Sequence, residues 1–421
     1  MALIVQKYGG TSVADPDRMR AVAENVAFTK RHGADVVVVV SAMGKATDNL
    51  IALATQVSET RPGREMDMLL TTGERVSAAL LTMALADLGV SAVSFTGSQV
   101  GIITDTTHGK AKIVEVRGDR VREALAAGKV AVVAGFQGVS TDKEITTMGR
   151  GASDLTASAL AKALEADACE IYTDVTGVFS ADPRIVPQAR KLRRVSFDEM
   201  LEMAGAGSKV LALRSVEFAR NHGVALHVRS AFTWEPGTWI TDTPITTEER
   251  PMEDPIISGV VTDSTESKVT VLGVPDRPGI SATLFEPLAE ASVNVDMIVQ
   301  NTSTEGTTDI SFTVPSADMN VAEEIVRRIA KEIGAAGVNH DDHIAKLSVV
   351  GAGMKSSPGI AAKMFRTLAD EDVNIEMIST STIRISVVIA SVDIERAARA
   401  LHTAFGLDGG SDYAGPLPER R

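Results

Sequence analysis

Asp35-Val36-Val37-Val38-Val39-Val40 runs straight into Ser41-Ala42-Met43-Gly44, an unbroken β-branched run followed by a small, glycine-bearing turn. A strand with one face in water alternates polar and apolar residues. This run does not, so both of its faces are buried, as in a parallel sheet covered by helices on either side. Working outward, Leu3 to Lys7 is a short strand that empties into Gly9-Gly10-Thr11-Ser12. Asp15-Pro16 then opens a helix to about Arg31, with proline in the first turn, where its missing N–H costs nothing. Further strands are expected at Ala92 to Phe95, Val130 to Gly135 and Glu170 to Thr173, with helices at Asp67 to Leu88 and Asp119 to Ala127 between them. Strand alternating with helix predicts an α/β fold with a doubly wound, mostly parallel sheet, whose ligands bind beyond the carboxyl ends of its strands.

The sharpest chemical signal is Thr147-Met148-Gly149-Arg150-Gly151-Ala152-Ser153-Asp154-Leu155-Thr156. Two glycines flank a fork-shaped cation, and a hydroxyl and a carboxylate follow before a helix-like run from Ala157 to Leu164. Glycine lets backbone N–H groups approach an anion, and the start of a helix adds partial positive charge. The segment reads as a floor for phosphate or carboxylate. It also fits a glycine–arginine turn with no ligand.

With 421 residues the chain has room for two to four domains. Its 44% hydrophobic content with few aromatics means cores of Val, Ala, Leu, Ile and Met, an α/β composition. A single cysteine, Cys169, excludes an intrachain disulfide, fits a reducing compartment, and reads as a small buried residue on a strand. Met1 to Gly10 lacks a cationic leader and a span-length apolar run, so a cytoplasmic location is expected, with no membrane partner. The net charge of −13 argues against nucleic acid, which needs clustered cations. A chain this acidic must concentrate its cations locally to hold anions; Lys7, Arg150, Arg184 and Lys209, each near a glycine or a strand end, are the candidates.

Composition shifts at Thr233-Trp234-Glu235-Pro236-Gly237 and through Thr241 to Pro255, where a linker is expected. Beyond it the chain repeats itself. Lys268-Val269-Thr270-Val271-Leu272-Gly273 returns as Lys346-Leu347-Ser348-Val349-Val350-Gly351, Pro278-Gly279-Ile280 as Pro358-Gly359-Ile360, and Val293-Asn294-Val295-Asp296-Met297-Ile298 as Val373-Asn374-Ile375-Glu376-Met377-Ile378. One small α+β fold of βαββαβ type therefore occurs twice. Two such units packed edge to edge would form a pair of clefts whose Pro-Gly turns and asparagines suit a free amino acid, or a duplication serving only dimerisation. The expected division is 1–240 for the α/β region, 241–263 for the linker and the first strand of the repeat region, 264–342 for the first repeat unit, and 343–421 for the second.

These residues resemble the aspartate kinases (aspartokinases), of the actinobacterial type with C-terminal ACT domains. The resemblance rests on Lys7-Tyr8-Gly9-Gly10-Thr11-Ser12, Ser41-Ala42-Met43-Gly44 with Thr47, Thr72-Gly73-Glu74, Gly149-Arg150-Gly151 with Ser153-Asp154, Tyr172-Thr173-Asp174 with Asp182-Pro183-Arg184, and Gly207-Ser208-Lys209. It covers nearly the whole chain and implies an amino acid kinase-like catalytic domain followed by two ACT domains. The implied reaction moves the γ-phosphoryl of ATP onto the side-chain carboxylate of L-aspartate, the first step toward lysine, threonine and methionine. A carboxylate is already ionised at neutral pH, so the catalytic problem is repulsion between anions and their alignment, not proton removal.

The resemblance gives roles by position. Lys7, Glu74 and Asp154 are the catalytic set: Lys7 sits between attacking carboxylate and transferred group, Glu74 pairs with the substrate ammonium, and Asp154 holds Lys7 or the substrate end, or else caps a helix. Ser41, Thr47, Glu74, Arg150, Gly151 and Ser153 bind substrate, with the Arg150 guanidinium gripping a carboxylate bidentately. Lys7, Tyr8, Gly9, Gly10, Thr173, Asp174, Phe179, Asp182, Arg184 and Lys209 bind ATP. Mg²⁺ rides on the nucleotide phosphates, with no protein residue assigned as its ligand. Asp276, Asn294, Gln300, Asn374, Ile375, Thr380 and Ser381 meet amino-acid effectors, threonine or lysine.

Four features depart from the family pattern. Ala152 replaces a usual glycine, and a β-carbon there is harmless only if the backbone is αR. Lys45 replaces an acid common beside the substrate loop. Thr382 stands where lysine-responsive members carry Glu, and the loop Thr302 to Gly306 is two residues short. A weaker lysine response with threonine sensing kept is the expectation. A homodimer or larger assembly through the ACT units is expected, and Met252, after Glu248-Glu249-Arg250-Pro251, offers an internal start for a separate regulatory subunit. Lys45 and Ala152 leave room for a sibling kinase acting on another acid. A weakly active regulatory binder is the third reading.

Overall fold

The computed structural model describes residues 1–149, 151–242, 257–301, 306–354 and 357–409. The valine run is the strand Asp35–Val40, near the middle of an eight-stranded sheet. It pairs in parallel with Leu3–Tyr8 on one side and Val130–Ala134 on the other. Ala92–Phe95 closes one edge. Toward the other come Ala168–Thr173 and Leu226–Ser230, also parallel, then the antiparallel Thr238–Ile240 and the short Arg194–Val195.

Val36 to Val40 have no exposed surface, because successive side chains alternate between two covered faces. Val37 and Val39 pack with Leu155 and Leu160 of the helix Ala152–Ala163. Val36, Val38 and Val40 pack with Met19, Val22 and Val26 of the helix Pro16–Arg31 and with Leu81 and Leu85 of Thr72–Asp87. Each such valine contributes about 1.5–3 kcal/mol of burial relative to exposure. Cys169 is buried and free on its strand, and burial pushes its thiol pKa well up.

Local structure differs from the sequence expectation in three places, each with a physical cause. The expected helix Asp67 to Leu88 is two helices, Gly63–Leu70 and Thr72–Asp87. Thr71 and Thr72 turn their hydroxyls back to the carbonyls of Met68 (3.1 Å) and Leu69 (2.7 Å), competing with the helical pattern. Gly73 then packs so close to Ala42 that a β-carbon would stand 2.8 Å from Ala42 Cβ. The helix expected at Ala157 begins instead at Ala152, since Gly151 (φ 74°) sets the left-handed entry. A four-stranded sheet of very short strands was not anticipated: Ile102–Thr104, Ile113–Val116, Gln137–Ser140 and Ile145–Thr147. Its buried faces carry Thr104, Thr146 and Gln137, which disguise the apolar pattern.

The first repeat unit runs in chain order, with Glu266–Pro275, helix Ile280–Glu290, Asp296–Gln300, Thr307–Pro315, helix Met319–Ile333 and Gly337–Asp341. The second has Ile344–Val350, helix Ile360–Asp370, Met377–Thr380, Arg384–Ala390 and helix Ile394–Ala404. Its fourth strand comes from before the first unit. Gly259–Asp263 pairs antiparallel to Ile344–Val350, so one unit is inserted inside the other. The linear boundaries at residues 263 and 342 are thus not boundaries in the sheets, because a sequence repeat reveals like segments without showing which edge lacks a partner.

Equivalent residues of the repeat meet across the two units. Lys268 pairs with Glu376, and Lys346 with Asp296 (2.9 Å) and Glu266. Met297, Met377, Ile344 and Val388 form a small apolar core between them. The second unit also joins the catalytic half. Its core includes Ala181 and Val186, His402 Nε2 lies 2.8 Å from Ser180 Oγ, and Ser381 Oγ donates to Glu202 (2.7 Å). Among the described residues no helix is long and apolar enough to cross a membrane.

Candidate active site

Three turns meet beyond the carboxyl ends of the central strands. The Leu3–Tyr8 strand ends in Gly9 and a short 3₁₀ turn, Gly10–Val13. Gly10 lies against the next turn so tightly that a β-carbon would be 2.8 Å from Ala42 O, and Gly44 N–H donates to Gly10 O at 3.0 Å. Only glycine permits that interlock. Lys7 reaches forward from the strand, and its Nζ lies 2.6 Å from Asp154 Oδ1, with side chains 12% and 9% exposed. The geometry is that of a charge contact, since Oδ1 has no hydrogen-bond donor of good angle. A side chain on Gly9 would meet the ammonium at 3.4 Å, so the glycine keeps the space beside it open.

Asp154 and Glu74 stand in the first turns of two helices, Ala152–Ala163 and Thr72–Asp87, whose N-terminal N–H groups favour negative charge nearby. Asp154 is inside its helix, three residues past the Gly151 cap, and its partner is Lys7 instead of a helix end. Glu74 is 3% exposed; Oε1 accepts from Ala42 N–H at 3.2 Å, and Oε2 is buried with no partner. Burial pushes its pKa up to about 7, against the pull of its own and the Ala42 backbone N–H groups. A buried carboxylate with one free oxygen is a socket for a cation.

Ser41 and Thr47 are half-buried on the loop and helix that follow the valine strand, and Lys45 is exposed at the start of that helix, Ala46–Val57. Ser153 packs on the backbone of Gly135. Ala152 is helical and buried, so its β-carbon strains nothing; the left-handed positions are Gly149 (φ 85°) and Gly151. Gly151 is also pressed on Ala212, where a β-carbon would come within 2.6 Å. Arg150 lies outside the described residues, as do Met252 and residues 302–305 of the shortened loop.

Of the nucleotide set, Tyr8 is fully buried and stacked on Tyr172 (4.6 Å, 11°), so its side chain belongs to the core and only its backbone faces the turn. Thr173 donates to Asp174 (3.1 Å). Asp182 and Arg184 pair at 2.6 Å; hydrogen bonds from Arg184 hold the Asp182 carboxyl below its ordinary range, with Lys209 adding to the pull. Asp174, Asp182, Arg184 and Lys209 thus share one charged loop mouth, and Phe179 is held in the same loop by a strand bridge to Lys191.

The effector positions divide between the two repeat units. Asp276, Asn294, Gln300, Asn374 and Thr380 are exposed, and Ile375 packs on the second unit's core. Ser281 Oγ donates to Gln300 at 3.4 Å. Thr380, Ser381 and Thr382 line a cleft of about 470 Å³ with Met354 and Ile385.

Sequence reading missed several groups around the site. Ser12 Oγ is buried without a partner at the first glycine turn. Gln137 Nε2 donates to the Thr71 carbonyl at the helix break (3.1 Å), and Asp67 binds three donors. The signal for Asp67 was present, an acid enclosed by Met66, Met68 and Leu69.

Comparison with known proteins fits this geometry. The profile of the Amino acid kinase family matches residues 2–230, and that of the ACT domain matches 269–329 and 347–405. The chain is 56% identical over 417 residues to an aspartokinase of Mycolicibacterium smegmatis, covering 98% of each. A solved aspartate kinase from Synechocystis is 47% identical, covering 99% of this chain and 71% of that one, with a TM-score of 0.54. Aspartokinase III of E. coli, solved in complex with aspartate and ADP, shares the fold, with 24% identity, 96% and 99% coverage and a TM-score of 0.79. With more than half its residues identical to a curated aspartokinase over nearly the whole of both chains, and with the kinase and ACT profiles matched in that order, the chain belongs to the aspartokinase family.

Proposed function

We infer that the chain transfers the γ-phosphoryl of ATP to the side-chain carboxylate of L-aspartate, giving 4-phospho-L-aspartate and ADP, under control of amino acids at its ACT units. The observation that carries this reading is the pairing of Lys7, held by Asp154 beside the open space at Gly9, with Glu74, a buried carboxylate whose second oxygen lacks a partner. Lys7 would neutralise charge as the aspartate oxygen bonds to phosphorus and the bond to the β-phosphate oxygen breaks. No proton needs to move. Glu74 would take the substrate ammonium, which supplies the counter-charge that its site lacks. Arg150 would grip the α-carboxylate, and Ser41, Thr47, Gly151 and Ser153 would complete the pocket. The loop from Thr173 to Arg184, with Lys209, would receive the nucleotide.

Mg²⁺ would enter on the ATP phosphates and spread their charge. Among the described residues no cluster of acids stands ready to bind it alone, and Asp182 is already engaged by Arg184. Copies of the chain would pair by two-fold symmetry through the ACT units, with Met252 as a candidate start for a separate regulatory subunit. Because Glu202 of the catalytic half holds both Ser381 and Arg384, an effector at the Thr380–Thr382 cleft would act directly on the catalytic domain.

The test is to trap the acyl phosphate with hydroxylamine while offering aspartate, glutamate or N-acetylglutamate. Hydroxamate from aspartate is expected. Preference for another acid would support a sibling kinase, and no product at all would leave the ACT units as the working part. Adding threonine or lysine to the assay reads the regulation: full inhibition by low lysine alone would contradict the weakened response expected from Thr382.

A further inference from the structure

Asp67 is 1% exposed, belongs to neither the lysine turn nor the nucleotide loop, and collects three donors from elements distant in sequence. His108 Nδ1 lies 2.7 Å from Oδ2, Gly109 N–H is 3.2 Å from both oxygens, and Thr147 Oγ1 is 2.5 Å from Oδ1. A carboxylate only accepts hydrogen bonds, so it suits three converging donors, and its hold on them fixes the His108 ring with Nδ1 as donor.

What these contacts join is specific. Asp67 stands on the helix Gly63–Leu70, which runs through the Thr71 break into the helix that carries Glu74. Thr147 ends the strand leading into Met148, Gly149 and the anion turn. The loop bearing His108 and Gly109 is the floor of that turn: Ala111 N–H donates to Thr147 O at 3.0 Å, and a β-carbon on Gly149 would lie 3.5 Å from Gly109 O. From behind, Arg214 donates to Met148 O (3.0 Å) and Ala111 O (2.8 Å). Arg214 therefore fixes the turn to its own loop, whereas Asp67 links the turn to the helix pair that carries Glu74, beside the hydrogen bond from Gln137, the strand partner of Thr147, to the Thr71 carbonyl.

We propose that Asp67 is a positioning residue which sets the spacing between Glu74 and the anion turn, and through it the affinity and chain-length selectivity for the amino-acid substrate. The proposal rests on the reading that Glu74 takes the ammonium and the turn takes a carboxylate. Ammonium and α-carboxylate share one carbon, so a fixed spacing between Glu74 and the turn pins that carbon and sets how far the side-chain carboxylate reaches toward the phosphoryl group; a loosened hold lets the carbon recede and admits an acid longer by one methylene at less disadvantage. The loop from Thr173 to Arg184, which would receive ATP, contributes none of the three donors on Asp67, so the affinity for ATP should not depend on this link.

The experiment compares the full chain with Asp67→Asn, Thr147→Val and Thr147→Ser, measuring KM for aspartate and ATP separately, the hydroxamate yield from aspartate against glutamate, and the melting temperature. Losing a buried charged acceptor in Asp67→Asn should raise KM for aspartate roughly tenfold or more while KM for ATP stays within about twofold. The preference for aspartate over glutamate should fall in the same variant. Thr147→Val should shift both in the same direction by less, and Thr147→Ser should restore them. If Asp67→Asn does not fold, the two Thr147 variants decide the matter alone. Equal changes in both KM values, or a lower melting temperature with unchanged KM and selectivity, would overturn the positioning role while leaving the kinase reading intact. An unaltered chain that forms no hydroxamate from aspartate would overturn both.

Discussion

Lys7 in the catalytic half and Lys346 in the regulatory half are both buried lysines on sheet strands, held by carboxylates from other elements. Lys7 has one acid, Asp154, remains 12% exposed, and borders open space at Gly9. Lys346 is 1% exposed and lies between two acids, Glu266 and Asp296. Within the regulatory half the contrast repeats: the equivalent lysine of the first unit, Lys268, has the single partner Glu376 and is 20% exposed. A cation balanced by two acids has no capacity left for an anion and serves as a rivet. A cation with one acid and an open side retains that capacity. Glu74 is the mirror case, an acid with no cation at all, and such under-compensated buried groups mark a site more reliably than charge alone.

The comparison can be broken in order of expected effect. Lys7→Met should lower kcat by roughly 10²–10³, the cost of losing one charge-stabilising donor. Adding Asp154→Asn should recover the stability lost from the orphaned acid without recovering kcat, read by denaturation and the hydroxamate assay together. Recovery of activity in the double variant would show that Lys7 is only a rivet. Lys346→Met should cost about 3 kcal/mol, the low end for breaking a buried pair because Asp296 is partly exposed, with kcat per folded molecule unchanged. Urea denaturation measures it.

Glu74→Gln should reduce kcat/KM for aspartate by about 10–100-fold and leave KM for ATP alone. It should also flatten a pH dependence. The folded pKa of Glu74, about 7, is above its ordinary value, so its contribution to stability is fully present below about pH 4.5 and is lost as pH rises through 7. Between those limits the unaltered protein should lose stability relative to the Gln variant, and a melting series across that window checks it. The smallest effect belongs to Lys268→Met, within about 1 kcal/mol, since one half-shielded pair contributes little. A cost equal to that of Lys346→Met would erase the distinction between the two units.

Much of this was legible in the chain. The valine run gave a strand covered on both faces, because nothing polar interrupts Val36 to Val40, and the repeated Lys268/Lys346 and Asp296/Glu376 segments gave two like domains. The glycines at 10, 149 and 151 marked the turns, since each has a steric or left-handed requirement that only glycine meets, whereas Gly9 is extended and a β-carbon there would make ordinary contacts. The helix break at Thr71 was not legible: threonine hydroxyls bond backward only once Gly73 has somewhere to dock, against Ala42. Ala152 looked doubtful beside two glycines, yet it falls on the first helical residue, where a β-carbon is welcome. Tyr8 looked like part of the nucleotide turn and is a core ring stacked on Tyr172.

The sequence by itself determined which segments are strands, helices and glycine turns, and that one small domain occurs twice, because those properties reside in short-range pattern. Only the tertiary structure decided how the pieces exchange partners. The second ACT unit completes its sheet with Gly259–Asp263, and His402 reaches Ser180 from 222 residues away. Lys7 finds Asp154, and Asp67 gathers donors from two distant turns. Pairings between groups so far apart in the chain depend on which edges and buried charges remain uncompensated after the local elements have formed, and that is settled only when they pack.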